Sequence, residues 1–354
     1  MTQTKRESGI ELFRIVTMLV IVAHHYVVNS GLSPLIGNNM FSANSIFLML
    51  FGWGGKTGIN CFVLITGYFM CTSNITLKKI LKLVLWVEFY KVIIYFIFIF
   101  TGYSSFGIKT FIKALLPVTS IAHGFTGAYI LFYLFIPFLN ILIRALHKKQ
   151  HLLLIGLCLF VYSVLGLVLG LEYNYVTWFA ILYLIGSYLR LHEETWFNSK
   201  KFWGVASVFA LLASWGSVLA CAFIHKKIGL GIHYYYFVAD SHRPLAVLMA
   251  VCSFMYFKNL KIGYKPWINT VAASAFGVLL IHANSDTMRQ WLWGTILKNV
   301  TFFDSKWLVL HAVGSVIAIY ILCTVIDMIR IQLIEKPVFK LYDKIYLKRK
   351  GELK

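Results

Sequence analysis

Long apolar runs separated by short, lysine-rich joints set the pattern of this chain. The runs fall at about 10–29, 45–71, 80–101, 126–146, 152–171, 175–190, 202–224, 242–257, 269–288 and 305–334. At 1.5 Å of rise per residue, most are long enough to cross a hydrocarbon core of about 30 Å as a helix. The pattern predicts an all-α integral membrane protein, a bundle of about ten transmembrane helices forming a single multi-pass domain over 1–354. The second run is punctuated by Gly52, Gly54, Gly55 and Gly58. A broken second helix is expected there, and broken backbone at membrane depth must be buried in protein or line a cavity.

The polar residues inside these runs carry the chemical information, because an ionisable side chain in a membrane helix costs several kcal/mol unless it has a partner or a wet cavity. The first run holds Glu11, Arg14, His24 and His25. Arg14 and His25 are close to three helical turns apart, so they share one face about 16 Å apart along the axis. Arg14 belongs near one surface and His25 near the middle. Glu11 lies one turn from Arg14 and can pair with it. In the third run Glu88 and Lys91 neutralise each other in the same way. Late in the chain His282, Asp286 and Arg289 follow at i, i+4 and i+7, which predicts one helical face beside Trp291 and Trp293. Asp240, His242 and Arg243 form another polar group. Asp327, Arg330 and Glu335 read as packing and topology determinants in the last run.

Composition narrows the class further. The chain is 59% hydrophobic and only 13% charged, against about a quarter charged in soluble domains, and its mean hydropathy is +0.76. A soluble globular protein is excluded. The net charge of +20 does not indicate nucleic acid, because most of the lysines and arginines fall on alternate joints. They cluster around Lys5, Lys78, Lys148, Lys200, Lys261 and the tail, which places both termini in the cytoplasm of a cell membrane. Lys56, Lys91 and Arg14 lie too deep in apolar runs to inform topology. Lys5 and Arg6 lead into a stretch too long for a signal-peptide core and without a small-residue cleavage site, so the first span is expected to be retained. The six cysteines all lie in apolar runs without a C-x-x-C pair, and neither a disulfide framework nor a metal site is expected.

Five motifs occur in an order that resembles the integral-membrane acyltransferase 3 family. They are Arg14 with His25, the block Gly58 to Met70 ending in Thr66-Gly67-Tyr68, and the Tyr-rich Ala128 to Asn140. The remaining two are Phe276 to His282 with Asn284 and Arg289 to Trp293, and the closing Asp327–Arg330 with Glu335-Lys336-Pro337. Where that family often has Arg-x-x-Arg, this chain has Lys78-Lys79-Ile-Leu-Lys82, which keeps the charge without the planar guanidinium fork.

The resemblance implies O-acetylation of bacterial glycans. Acetyl-CoA would be the cytoplasmic acyl donor and an extracytoplasmic glycan or lipid-linked sugar the acceptor, with no permanently bound cofactor. It implies His25 as general base, with an imidazole suited to moving a proton near neutral pH. Arg14, Lys78, Lys79 and Lys82 are then the candidates for the CoA phosphates, and Asn60 is a candidate donor to the acyl oxygen. His282, Asp286, Arg289 and Trp293 are candidates for the acceptor surface, with His24 accessory. The competing class is a transporter or flippase of a sugar-containing or small anionic substrate, in which buried charges couple protons. Against it, there is no inverted repeat, and the polar groups concentrate in runs one, two and nine.

Overall fold

The computed structural model describes residues 7–119, 124–171 and 173–349, and among these every regular element is helical. The chain opens with α1 (Ser8–Val28), then α2 (Ala43–Met70) and α3 (Leu77–Phe100). Next come α4 (Phe125–Ala145), α5 (Lys148–Leu169) and the shorter α6 (Tyr175–Leu191). The second half holds α7 (Lys200–Ile228), the short α8 (Pro244–Lys258), α9 (Pro266–His282), α10 (Asp286–Ile296) and α11 (Leu308–Tyr346). Seven of these are long and apolar enough to cross a membrane. The α9–α10 pair would make an eighth if it is one span bent by 94°. Each of the ten apolar runs falls on one of these helices or on the bent pair.

Local chemistry explains most of the boundaries. The side chains of Ser42, Thr76, Asn174, Ser199 and Ser285 accept the first free backbone N–H groups of the helices they precede, replacing hydrogen bonds that a helix start lacks. Pro244 and Pro266 stand at the starts of α8 and α9, where a missing N–H costs nothing.

The first two helices form the interior. In their most apolar windows 56% of α1 and 72% of α2 is buried, against 22% of α3 and 17% of α5. The lipid-facing surface therefore belongs mainly to the later helices. α1 packs against α2, α8, α9 and α11, while α2 also packs against α6 and α8.

Glycine makes the closest of these contacts possible. A Cβ on Gly186 of α6 would lie 2.6 Å from the Leu64 carbonyl oxygen of α2, and one on Gly67 would lie 2.9 Å from Tyr183 backbone. The α2–α6 seam is thus backbone against backbone, the close approach that small residues permit between membrane helices.

The glycine run of α2 has the same cause. Helix stops at Phe51 and resumes at Gly55. A Cβ on Gly54, Gly55 or Gly58 would collide with Val20, His24 or Ile21 of α1. Of the carbonyls at the interruption, Met49 O accepts from Tyr235 Oη (3.0 Å) and Gly52 O from His24 Nδ1 (2.5 Å). The sharper break lies later. The chain turns through 94° between His282 and Asp286, so His282, Asp286 and Arg289 do not share one continuous helical face, contrary to the expectation from their spacing.

A buried ionic network ties α3 to α11. Asp327, fully buried, accepts from Trp86 Nε1 (3.0 Å), Tyr90 Oη (2.8 Å) and Arg330 Nε (2.8 Å). Arg330 also donates to Glu335 (2.8 Å), which pairs with Lys82 (2.6 Å). Gly277 of α9 leaves the room that the Asp327 carboxylate occupies. This fits the structural role expected of Asp327, Arg330 and Glu335: four charges neutralised in sequence, so none is left bare in a low-dielectric interior.

Candidate active site

A cavity of about 350 Å³ opens where the C-terminal half of α1 meets α2, the start of α6 and the α9–α10 break. His24, His25, Lys56, Tyr175, Asn284 and Arg289 lie in its wall. A second hollow of about 440 Å³ adjoins it, sharing Lys91, Thr119 and Asn284.

His25 reaches the wall because it sits one turn from the end of α1 on the side facing α9. Its Nδ1 lies 2.9 Å from Nε2 of His282, whose own Nδ1 lies 2.6 Å from the Val278 carbonyl oxygen. This chain has a direction. A carbonyl oxygen only accepts, so Nδ1 of His282 carries a hydrogen, and in the neutral ring Nε2 carries a lone pair. His25 Nδ1–H therefore donates into that lone pair, which leaves His25 Nε2 with a free pair of its own. His282 is fully buried and His25 half-buried, so the pair is solid on one side and open on the other. His24 is fixed separately by Gly52 O and turns its ring to the cavity through the space left by Gly55.

The other expected site residues divide clearly. Arg289 shares the cavity wall with His25, and its Nη1 donates to the exposed Asp286 (2.6 Å). Arg14 pairs with buried Glu11 at 3.8 Å and lines neither hollow. Lys78 and Lys82 make ion pairs with Asp343 and Glu335, each at 2.6 Å, and Lys79 donates to Ser73 and to the Asn74 carbonyl, each at 2.7 Å. These lysines form a separate group at the α3 N-terminus.

Two expectations are corrected. Asn60 is fully buried away from the cavity, donating to Ser241 O (2.7 Å) and accepting from Trp178 Nε1 (3.0 Å); its amide ties α2 to α6 and to the turn before α8, and is not aimed at an acyl oxygen. Trp293 is also fully buried, edge-on to Tyr26 and His282. No sugar can stack on its face.

Lys56 is a further residue of the site, outside the candidates expected from the sequence. It stands in the cavity wall, donates to Tyr175 Oη (2.6 Å), and lies 3.6 Å from Asp240. Asp240 in turn accepts from Tyr173 and from the Ser241 backbone N–H (2.9 Å). A sequence signal existed. No acid lies three or four residues from Lys56 in either direction, so a lysine in this apolar, glycine-rich span required a tertiary partner.

The family model described as an acyltransferase domain, acyltransferase 3, matches residues 7–328, nearly the whole chain. The chain belongs to the acyltransferase 3 family. No curated protein and no solved structure matches it. As an acyltransferase-family membrane protein it needs a basic group next to a space that an acyl donor and an acceptor can share. His25 and His24 are the imidazoles in the wall of the cavity.

Proposed function

We propose that this acyltransferase is an O-acetyltransferase. It moves an acetyl group from cytoplasmic acetyl-CoA to a hydroxyl of an extracytoplasmic glycan or lipid-linked sugar, with His25 as general base. The observation that carries this reading is the directed pair of His282 and His25 at the cavity wall. A fixed tautomer with one free lone pair on an open face is what a general base requires.

In the step itself, His25 Nε2 takes the acceptor hydroxyl proton as its oxygen attacks the thioester carbonyl. The C–S bond then breaks, and the proton passes to the departing CoA sulfur. The imidazolium formed meanwhile is held by the neutral His282, whose lone pair accepts from His25 Nδ1–H. Arg14, with Lys78, Lys79 and Lys82, is the proposed contact for the CoA phosphates. Each lysine is already paired, so CoA would exchange phosphate oxygens for carboxylate or neutral oxygens rather than fill a bare cationic site. Both termini are proposed to be cytoplasmic, with the cavity opening to the opposite side.

The test is purified protein in liposomes with acetyl-CoA, following free CoA with and without a glycan acceptor, beside His25→Ala. Release of CoA that disappears in His25→Ala at equal protein level supports the reading. No release with any acceptor, together with thermal stability unmoved by CoA, would sink it in favour of transport.

A further inference from the structure

Four cations line the two joined hollows: Lys56 in the inner one, Arg289 beside it, Lys91 at their junction, and Lys113 in the outer one. Among the described residues no carboxylate lines either. Three of these cations have acidic partners, but each partner stands outside the lining: Asp240 with Lys56, Glu88 with Lys91, and Asp286 with Arg289. Asp240 is shared with Tyr173 and Ser241. The Asp286 side chain is 85% exposed, so the surrounding water, with its high dielectric constant, weakens its pull on Arg289. Arg289 Nε is buried without a hydrogen-bond partner. The cations are thus held in place from behind, with positive charge presented to the space in front of His25.

We propose that the acceptor is an anionic sugar, bearing a carboxylate or phosphate that Lys56 and Arg289 bind while its hydroxyl faces His25. The proposal rests on the acyl-transfer reading for the word acceptor, but the anion preference stands on the cavity alone. A neutral glycan would leave Arg289 Nε without a partner and the cavity-facing side of the cations against apolar walls such as Ile59, Phe62 and Leu280, whereas an anion would accept from these donors in charge-assisted hydrogen bonds. The combined hollows are within the size range of small-ligand sites, about 300–1,000 Å³.

The test reads binding apart from chemistry. Full-chain protein in lipid nanodiscs is titrated with methyl β-D-glucuronide, glucose 6-phosphate and neutral methyl β-D-glucoside, and in parallel with acetyl-CoA. The same titrations are run on Lys56→Met, Arg289→Gln and the charge-keeping Lys56→Arg. The expected result is that both charged sugars bind about tenfold or more tighter than the neutral one. Lys56→Met and Arg289→Gln should erase that preference, Lys56→Arg should keep it, and acetyl-CoA affinity should move by no more than about twofold. Equal affinity for charged and neutral sugars overturns the proposal, as does a preference that survives both neutralising variants. Loss of acetyl-CoA binding with sugar binding untouched assigns the cations to the donor's phosphates and also overturns it. Because no turnover is read, failure of the acyl-transfer assay described above would remove the word acceptor but leave the anion preference of the cavity to be decided by these titrations alone.

Discussion

His282 is expected on the acceptor surface, yet it is fully buried with its Nε2 on His25, so in the proposed mechanism it positions His25 and does not touch the acceptor. Replacing it with alanine leaves His25 Nδ1 without its acceptor and frees the imidazole to take either tautomer. The expected outcome for His282→Ala is a fall in kcat of about 100-fold, within the range general-base catalysis contributes. KM for acetyl-CoA should stay near the wild-type value. His282→Gln, whose side-chain carbonyl can accept from Nδ1–H, should retain more of kcat than His282→Ala. Steady-state kinetics on both variants decides it: equal loss in the two, or a loss carried entirely by KM, would show that His282 is a packing residue. Neither the pair nor its direction was legible in the sequence. His25 stood out because a histidine in an apolar run is costly, but its partner is 257 positions away. The contact exists only because α9 ends where α1 passes. Lys56 is legible in principle, by its lack of a local acid, but its partners Tyr175 and Asp240 lie far along the chain and only the fold brings them to it.

The glycines of α2 and α6 act as elements, not as hinges. Gly186→Ala places a methyl group 2.6 Å from the Leu64 carbonyl oxygen, and backbone cannot swing aside as a long side chain can. The expected cost is about 1–3 kcal/mol, the usual range for overpacking. Thermal denaturation of the detergent-solubilised protein measures it. Gly216→Ala in α7 is the control: nothing lies within 4 Å of its added Cβ, and alanine is favoured over glycine in a helix by about 0.5–1 kcal/mol. A Gly186→Ala protein as stable as Gly216→Ala would mean that the α2–α6 seam is looser than the structure has it. At this scale the sequence was informative about where helices lie and less so about why glycines recur. A glycine cluster in an apolar run reads equally as a break or as a contact surface, and here α2 is both. Likewise, i, i+4, i+7 spacing predicted one face at His282, Asp286 and Arg289, but Ser285 caps a new helix between them. The turn, not the period, brings Arg289 round to the cavity.

For the whole molecule, the question left to experiment is which helices cross. α6 has 17 residues, about 25 Å of helix against a hydrocarbon core of about 30 Å. Yet Ile181 through Leu189 are all buried, with α2, α4 and α5 packed around α6. A helix sheathed in protein meets little lipid, so its shortness carries little mismatch cost, and it is expected to cross. The test places single cysteines at exposed positions on either side of the stretch: Ser105→Cys before α4 and Asn198→Cys after α6. None of the six native cysteines is fully exposed, so an impermeant maleimide on intact cells reports mainly the new thiol. Three crossings, by α4, α5 and α6, put the two positions on opposite sides. Ser105→Cys should label from outside, and Asn198→Cys only after permeabilisation, because Lys200 and Lys201 belong to the lysine-rich side. Labelling of both from outside would mean that α6 does not cross, and the parity that puts both termini in the cytoplasm would fail with it. Labelling with the sides reversed would keep the crossings and invert the protein, so that the cavity in front of His25 would face the cytoplasm and the acceptor would have to be sought there.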